Sequence, residues 1–126
     1  MKSSCIFCKL DSSRFFLENN TFITILDKYP ISPGHSLLVS KRHVESIFDL
    51  HKEELADLFS LLLAARNFLN KKYSPNGFNI GINDGPIAGQ TILHLHLHLI
   101  PRYKNDQEDP RGGIRLIFPE KANYID

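Results

Sequence analysis

Tryptophan is absent from this chain, methionine occurs once and cysteine only twice. Two cysteines cannot build the disulfide framework of a small secreted protein. At Cys5 and Cys8 they also stand so close that a bridge between them would constrain little. No apolar run approaches the 18 or more residues that a membrane-spanning helix requires. The start, Met1-Lys2-Ser3-Ser4-Cys5, lacks the apolar stretch of a signal peptide. Neither sign of charge is in excess, with 15 Lys and Arg against 14 Asp and Glu. That balance gives no footing for general binding to nucleic acid or to a membrane surface. What remains is an ordinary soluble composition, 42% hydrophobic over 126 residues. A single domain over residues 1–126, burying roughly two-thirds of its unfolded surface, is the expectation, with a cytoplasmic location as the default.

What the chain does have is histidine, and half of its six are in one short stretch, His94-Leu95-His96-Leu97-His98-Leu99-Ile100-Pro101. Apolar and imidazole side chains alternate there with a period of two, the period of a β-strand. Leu95, Leu97 and Leu99 then turn to a core, and His94, His96 and His98 line up on the other face, roughly 6.6 Å apart. Three uses of that row are open. It can be the polar face of a half-buried strand. It can be a three-histidine metal site, since imidazole is the commonest metal ligand. Or it can serve nucleophilic catalysis, because a neutral imidazole has a ring nitrogen able to attack phosphorus. The flanks favour the third. Residues 84–89, Asp-Gly-Pro-Ile-Ala-Gly, form a turn-rich loop whose glycines let backbone N–H groups approach an anion. Gln90 and Thr91 follow with an amide and a hydroxyl, both able to donate to phosphate oxygens. A pure metal site needs none of these.

The rest of the chain reads as scaffold. Residues 14–17 and 21–26 are strand-like and separated by Asn19-Asn20, which predicts a tight hairpin. Residues 35–40 read as a third strand and residues 78–83 as a fourth, with the histidine strand as the fifth. From an N-cap at Asp49, the spacing of Leu55, Leu58, Phe59, Leu62, Ala65 and Leu69 predicts a long helix with one apolar stripe. Lys71 and Lys72 suit its C-terminal end, and Ser74-Pro75-Asn76-Gly77 stops it. Short links between neighbouring strands imply a mostly antiparallel sheet with that helix across one face, an α+β architecture. Residues 104–126 read as a C-terminal extension, with a polar loop and then an added edge strand over residues 112–119. Cys5 and Cys8 form a Cys-x-x-Cys that is either a redox pair or half of a zinc site. A redox pair normally opens a helix, and no helical pattern follows Cys8.

Gly89-Gln90-Thr91 followed by His94-Leu95-His96-Leu97-His98-Leu99-Ile100 resembles the histidine triad (HIT) superfamily, whose motif is His-x-His-x-His before two apolar residues. Leu26-Asp27, Pro33-Gly34-His35, Arg42-His43 and Asn83-Asp84-Gly85-Pro86 fall in the order that family uses. The resemblance covers roughly residues 5–103 and implies the HIT-like fold, a five-stranded mostly antiparallel sheet with one long helix and a short helix. It implies that His96, flanked in the catalytic triad by His94 and His98, attacks the α-phosphorus of an adenine nucleotide and forms a nucleotidyl-histidine. The substrate would be a dinucleoside polyphosphate or a nucleoside phosphoramidate, hydrolysed or passed to another acceptor. His98, Gly89, Gln90, Thr91 and Asn83 would hold the phosphates and Asp27 the ribose. Ile25 and Leu37 would wall the base, and His35 would brace the triad. No catalytic cofactor is implied. A structural zinc would be held by Cys5, Cys8, His43 and His94, and the chain would pair as a homodimer. The absence of tryptophan separates it from the branch with a tryptophan-containing tail, and Ile100-Pro101-Arg102 is closer to the fragile-histidine-triad and bacterial branches. The alternative is a nucleotide-binding regulatory or adaptor protein with little turnover.

Overall fold

A computed structural model describes residues 4–124. The other five residues of the expected 1–126 domain, including the start read as lacking a signal peptide, lie outside the described residues. The hairpin forms where expected, between β1 (Phe15–Glu18) and β2 (Phe22–Leu26). Asn19 makes the turn: its side-chain oxygen accepts from the N–H groups of Thr21 (3.0 Å) and Phe22 (2.9 Å), and its amide donates to the Asp57 carbonyl (2.9 Å). β3 (Ser36–Ser40), β4 (Gly77–Gly81) and β5 (His96–Arg102) complete a five-stranded sheet of order β1-β2-β3-β5-β4. Every neighbouring pair is antiparallel. The last strand in sequence is therefore inserted between β3 and β4, and register places Leu37 opposite His98 and Val39 opposite His96.

The long helix α1 (Lys52–Tyr73) lies on one face of the sheet. Leu58, Leu61, Ala65 and Leu69 of α1 pack on Phe22, Leu38, Leu95, Leu97 and Leu99, all buried. On the opposite face Ile23, Ile25, Leu37 and Val39 form a smaller cluster with Phe7. β5 alternates as the leucines demand: Leu97, Leu99 and Pro101 are buried, while His96, His98, Ile100 and Arg102 are half-buried on the other face. Among the described residues no helix is long and apolar enough to cross a membrane.

Four details differ from the sequence pattern. The strand begins at His96, not His94, because the Leu95 N–H donates to the Val44 carbonyl (2.7 Å) and residues 92–94 bend. The helix begins at Lys52, with Asp49 in a 3-10 turn (Ile47–Asp49) and His51 at the N-cap, where its N–H donates to Glu54 (2.8 Å). That short turn, rather than a second α-helix, is the short helix beside α1. The helix carries two apolar faces instead of one stripe: Leu61 belongs to the core, whereas Leu55, Phe59 and Leu63 are exposed. Finally, residues 112–119 are not an edge strand. Gly112 (φ 96°) and Gly113 (φ 46°) turn the chain into a 3-10 turn (Gly113–Ile117). A Cβ at Gly112 would stand 2.7 Å from the Ala122 carbonyl oxygen, so the reversal requires glycine.

Leu99 has no exposed surface, so Leu99→Ala is expected to cost about 3 kcal/mol through lost burial plus a residual cavity. Leu63→Ala on the uncovered helix face should cost under about 1 kcal/mol. Urea denaturation of the two variants measures the difference.

Candidate active site

Each histidine of the row has one ring nitrogen committed to a partner, and the partner decides what the other nitrogen can do. A carbonyl only accepts, so the ring nitrogen facing one carries the proton. His94 donates from Nε2 to the Ser40 carbonyl (2.7 Å), which leaves a lone pair on Nδ1. His96 donates from Nδ1 to the His94 carbonyl (2.8 Å), which leaves a lone pair on Nε2. The His98 assignment comes through His35. The Ile31 N–H donates to His35 Nδ1 (3.2 Å), so His35 carries its proton on Nε2. That N–H donates to His98 Nδ1 (3.0 Å), and His98 is left with Nε2–H as a donor. Three adjacent imidazoles thus have three different outward-facing atoms.

Asp27 sits beside this relay. Its Oδ2 is 3.4 Å from His35 Nε2 and its Oδ1 accepts from the Tyr29 N–H (2.9 Å). The Asp27 N–H to His35 carbonyl bond (2.9 Å) closes the intervening loop and brings the two residues together. Burial holds the pKa of His35 below the ordinary imidazole value against the pull of Asp27. Burial first, then the neighbouring His96 and His35, holds His98 below it too. Both therefore stay neutral at pH 7, and the donor–acceptor pattern persists.

A cavity of about 1100 Å³ opens over His96 and His98, and Asp27, Asn83, Gly89, Thr91, Ile25 and Leu37 also line it. His96 Nε2 has no protein partner among the described residues. Gln90 is the exception to the sequence expectation. Its amide donates to the Glu45 carbonyl (2.9 Å), its oxygen accepts from the Gly85 N–H (2.9 Å), and the residue is buried. Both ends are spent on tying residues 85–90 to the segment before α1, so Gln90 shapes the loop and does not face the phosphate position. Two participants escaped the sequence pattern. Phe7 packs edge-on against His94 (5.8 Å) and His96 (4.9 Å), and an aromatic residue between two cysteines was the sole hint of it. The tail residues Ile114, Leu116 and Ile117 also line the cavity, and nothing in their local sequence pointed there.

The Cys-x-x-Cys meets its partners at the far end of the row. His94 Nδ1 is 3.3 Å from Cys5 Sγ, 3.6 Å from Cys8 Sγ and 3.1 Å from His43 Nδ1, and Cys8 Sγ is 3.0 Å from His43 Nδ1. A tetrahedral zinc with two sulfur and two nitrogen ligands has ligand–ligand edges of about 3.3–3.8 Å. Two thiols and two imidazoles at nearly those separations fit that ion. Arg42 holds His43 in place by gripping Glu54 at the head of α1 (2.7 Å). That guanidinium, with the His51 N–H, lowers the Glu54 carboxyl to about 2. Among the described residues no metal-ligand cluster includes His96, so a site built from all three triad histidines is not what the fold assembles.

A HIT domain model matches residues 10–105. The chain belongs to the HIT family. It is 39% identical over 94 residues to a bis(5'-nucleosyl)-tetraphosphatase (asymmetrical) of Schizosaccharomyces pombe, covering 75% of this chain and 52% of that protein. It therefore spans about half the length of that relative. An adenylylsulfatase of Arabidopsis thaliana is 32% identical, over 84% of this chain and 56% of the plant protein. Among solved structures, a zinc-bound histidine triad protein of Mycobacterium smegmatis superposes with a TM-score of 0.76 at 32% identity, covering 86% of this chain and 82% of that one. The five-stranded antiparallel sheet and long helix are the HIT fold.

Gln90→Ala is expected to lower unfolding free energy by about 1–3 kcal/mol, because the Gly85 N–H and the Glu45 carbonyl lose a buried partner. A phosphate ligand would change affinity and leave stability alone, so urea denaturation decides between the two roles. The depressed pKa values of His35 and His98 carry a sign. Their stabilising contribution is complete above the unfolded value of about 6.5 and is lost as pH falls through the lower folded values. Stability measured against pH should decline on the acid side, and less steeply in His98→Gln.

Proposed function

We propose that this HIT protein cleaves the α-phosphate linkage of an adenine nucleotide, a dinucleoside polyphosphate or a nucleoside phosphoramidate, through a nucleotidyl-His96 intermediate. The observation that carries the reading is the His96 Nδ1–H bond to the His94 carbonyl, which directs an unprotonated nitrogen into a cavity large enough for a nucleotide. In the first step His96 Nε2 forms a bond to the α-phosphorus, and the bond from phosphorus to the leaving group breaks with its electron pair. In the second, water or another acceptor attacks the same phosphorus, the P–N bond breaks and the imidazole is restored, with the proton of water passing to solvent. Dividing one displacement into two lowers each barrier. His98 Nε2–H and Thr91 donate to phosphate oxygens as negative charge shifts onto them, whereas the Gly89 N–H is committed to the Pro86 carbonyl (3.0 Å) and Gly89 instead lines the approach to the site. Asn83 lies beside Gly89 on the same rim, with its amide 3.9 Å from where a Gly89 Cβ would stand. Asp27 offers a carboxylate to the ribose hydroxyls, and Ile25 and Leu37 give the base an apolar wall. The relatives' names, a nucleosyl-tetraphosphatase and an adenylylsulfatase, describe cleavage next to a nucleotidyl phosphorus and support the same class.

Cys5, Cys8, His43 and His94 would hold a structural zinc. Bound there, the ion supplies a cross-link between the N-terminal hook that carries Phe7 and the first triad histidine. A second copy of the chain would cover the exposed Leu55, Phe59 and Leu63 of α1 and Ile80 of the edge strand β4, which is where a homodimer would form.

With diadenosine tetraphosphate labelled at its α-phosphates, quenched in alkali, wild-type protein should carry label and turn the substrate over. His96→Gly should lose both, by at least about a thousandfold in kcat. Tight binding without turnover in wild type would favour the adaptor alternative. Metal analysis should find zinc in wild type and a deficit in Cys5→Ser, together with a lower Tm.

A further inference from the structure

A second cavity, of about 450 Å³, opens at the β1 edge, between the start of β1, the end of β2 and the last turns of α1. It lies on the helix side of the sheet. Phe22 packs against α1, and the alternation of β2 sends Leu26 the same way, whereas the triad row faces the other side. Arg14, Asp27 and Lys28 stand where the two cavities meet, and Phe16, Phe68, Lys72 and Tyr73 line this one alone.

Its walls are of two kinds. Phe16 and Phe68 meet ring to ring, with centroids 5.0 Å apart, and Tyr73 adds a third ring. Phe68 is 37% and Leu26 44% exposed, so apolar surface is left at the opening. Around these rings stand Arg14, Lys28 and Lys72. Arg14 Nη2 donates to the Leu26 carbonyl (3.2 Å), which holds the guanidinium at the mouth. Lys72 Nζ lies 5.8 Å from the Phe68 centroid and 5.6 Å from that of Tyr73. Among the described residues none of the three is in an ion pair, whereas Lys41, Arg42, Arg102 and Arg111 each grip a carboxylate. Asp27, the carboxylate in the lining, is turned to His35 and the Tyr29 N–H. Helix polarity does not require Lys72, since Lys71 also meets the negative end of α1.

Cations gathered over rings suit a molecule that is anionic at one end and flat at the other. Guanidinium and ammonium groups hold phosphate oxygens by charge-assisted hydrogen bonds, and aromatic side chains take a base by stacking. The volume lies within the roughly 300–1,000 Å³ of pockets that hold one small ligand. Among the described residues no imidazole or thiol lines the cavity, so it is built to bind and not to react. We propose that Arg14, Phe16, Lys28, Phe68, Lys72 and Tyr73 form a second, non-catalytic binding site for a nucleoside phosphate. The site goes beyond the proposed reaction and does not depend on it.

Calorimetry with adenosine 5'-diphosphate tests this in the full chain carrying His96→Gly, where no turnover interferes. Two classes of site are expected. Lys72→Glu, at an exposed position that does not threaten folding, and Phe68→Ser should each weaken one class at least about tenfold and leave the other unchanged. Amide NMR should show the ligand perturbing residues 14–16 and 68–73. A single class that neither variant alters overturns the site. Inorganic tripolyphosphate binding the Lys72-sensitive class as tightly as the nucleotide would also overturn it, since the rings would then contribute nothing. Tighter binding there of a single-stranded oligonucleotide than of the nucleotide would replace it with a nucleic-acid site. Loss of the Lys72-insensitive class alone would instead sink the nucleotide reading of the triad cavity and leave this site standing.

Discussion

One backbone carbonyl governs the site. The His94 carbonyl oxygen accepts a hydrogen bond from His96 Nδ1–H, which leaves the ring's lone pair on the opposite nitrogen. The same logic runs along the row. The Ser40 carbonyl turns the lone pair of His94 toward the two cysteines and His43. The Ile31 N–H, acting through His35, turns the proton of His98 outward. Three identical side chains come to present a lone pair beside two thiols, a lone pair on the cavity side and an N–H donor without any change of residue type. The difference is made by main-chain groups, which cannot be moved without moving the fold.

Those groups are where they are because of the core on the other side of the sheet. Leu95, Leu97 and Leu99 bind the triad segment to α1, and β3 on one side and β4 on the other hold β5 in register. The bend at residues 92–94 is part of the device. It takes His94 out of the ladder, so that its ring reaches the Ser40 carbonyl on one side and the Cys5–Cys8 hook on the other. Gln90 stabilises the approach to that bend by joining Gly85 to Glu45. The loop of residues 85–90 is thus fastened by a residue that sequence pattern placed on the phosphates.

Periodicity makes most of this architecture legible in the sequence. The alternation of leucine and histidine announces a strand with two faces, and Asn19-Asn20 announces the hairpin. The Leu58–Ala65–Leu69 spacing announces the helix. Where reading failed, a tertiary contact outweighed a local pattern. Phe59 and Leu55 fit the helical stripe as well as Leu61 does, and only the position of the sheet makes Leu61 the buried one. Ile114, Leu116, Ile117 and Phe118 have the composition of a strand, and two glycines with positive φ set them in a 3-10 turn against the cavity. The amide of Gln90 is chemically suited to phosphate, and local sequence holds no sign that two backbone groups would claim it first. Spacing alone also left the histidine row open to a three-imidazole metal site. Hydrogen-bond partners, which lie 2 to 63 residues away along the chain, remove that choice.

Nitrogen-15 NMR of the histidine rings reads this arrangement directly, because the two tautomers of a neutral imidazole have distinct ring-nitrogen shifts and couplings. At pH above about 7, His96 should be the Nδ1–H tautomer, and His35 and His98 should both be Nε2–H. A His96 ring protonated at Nε2, or one whose Nε2 is bound to a metal, would contradict the account at its centre.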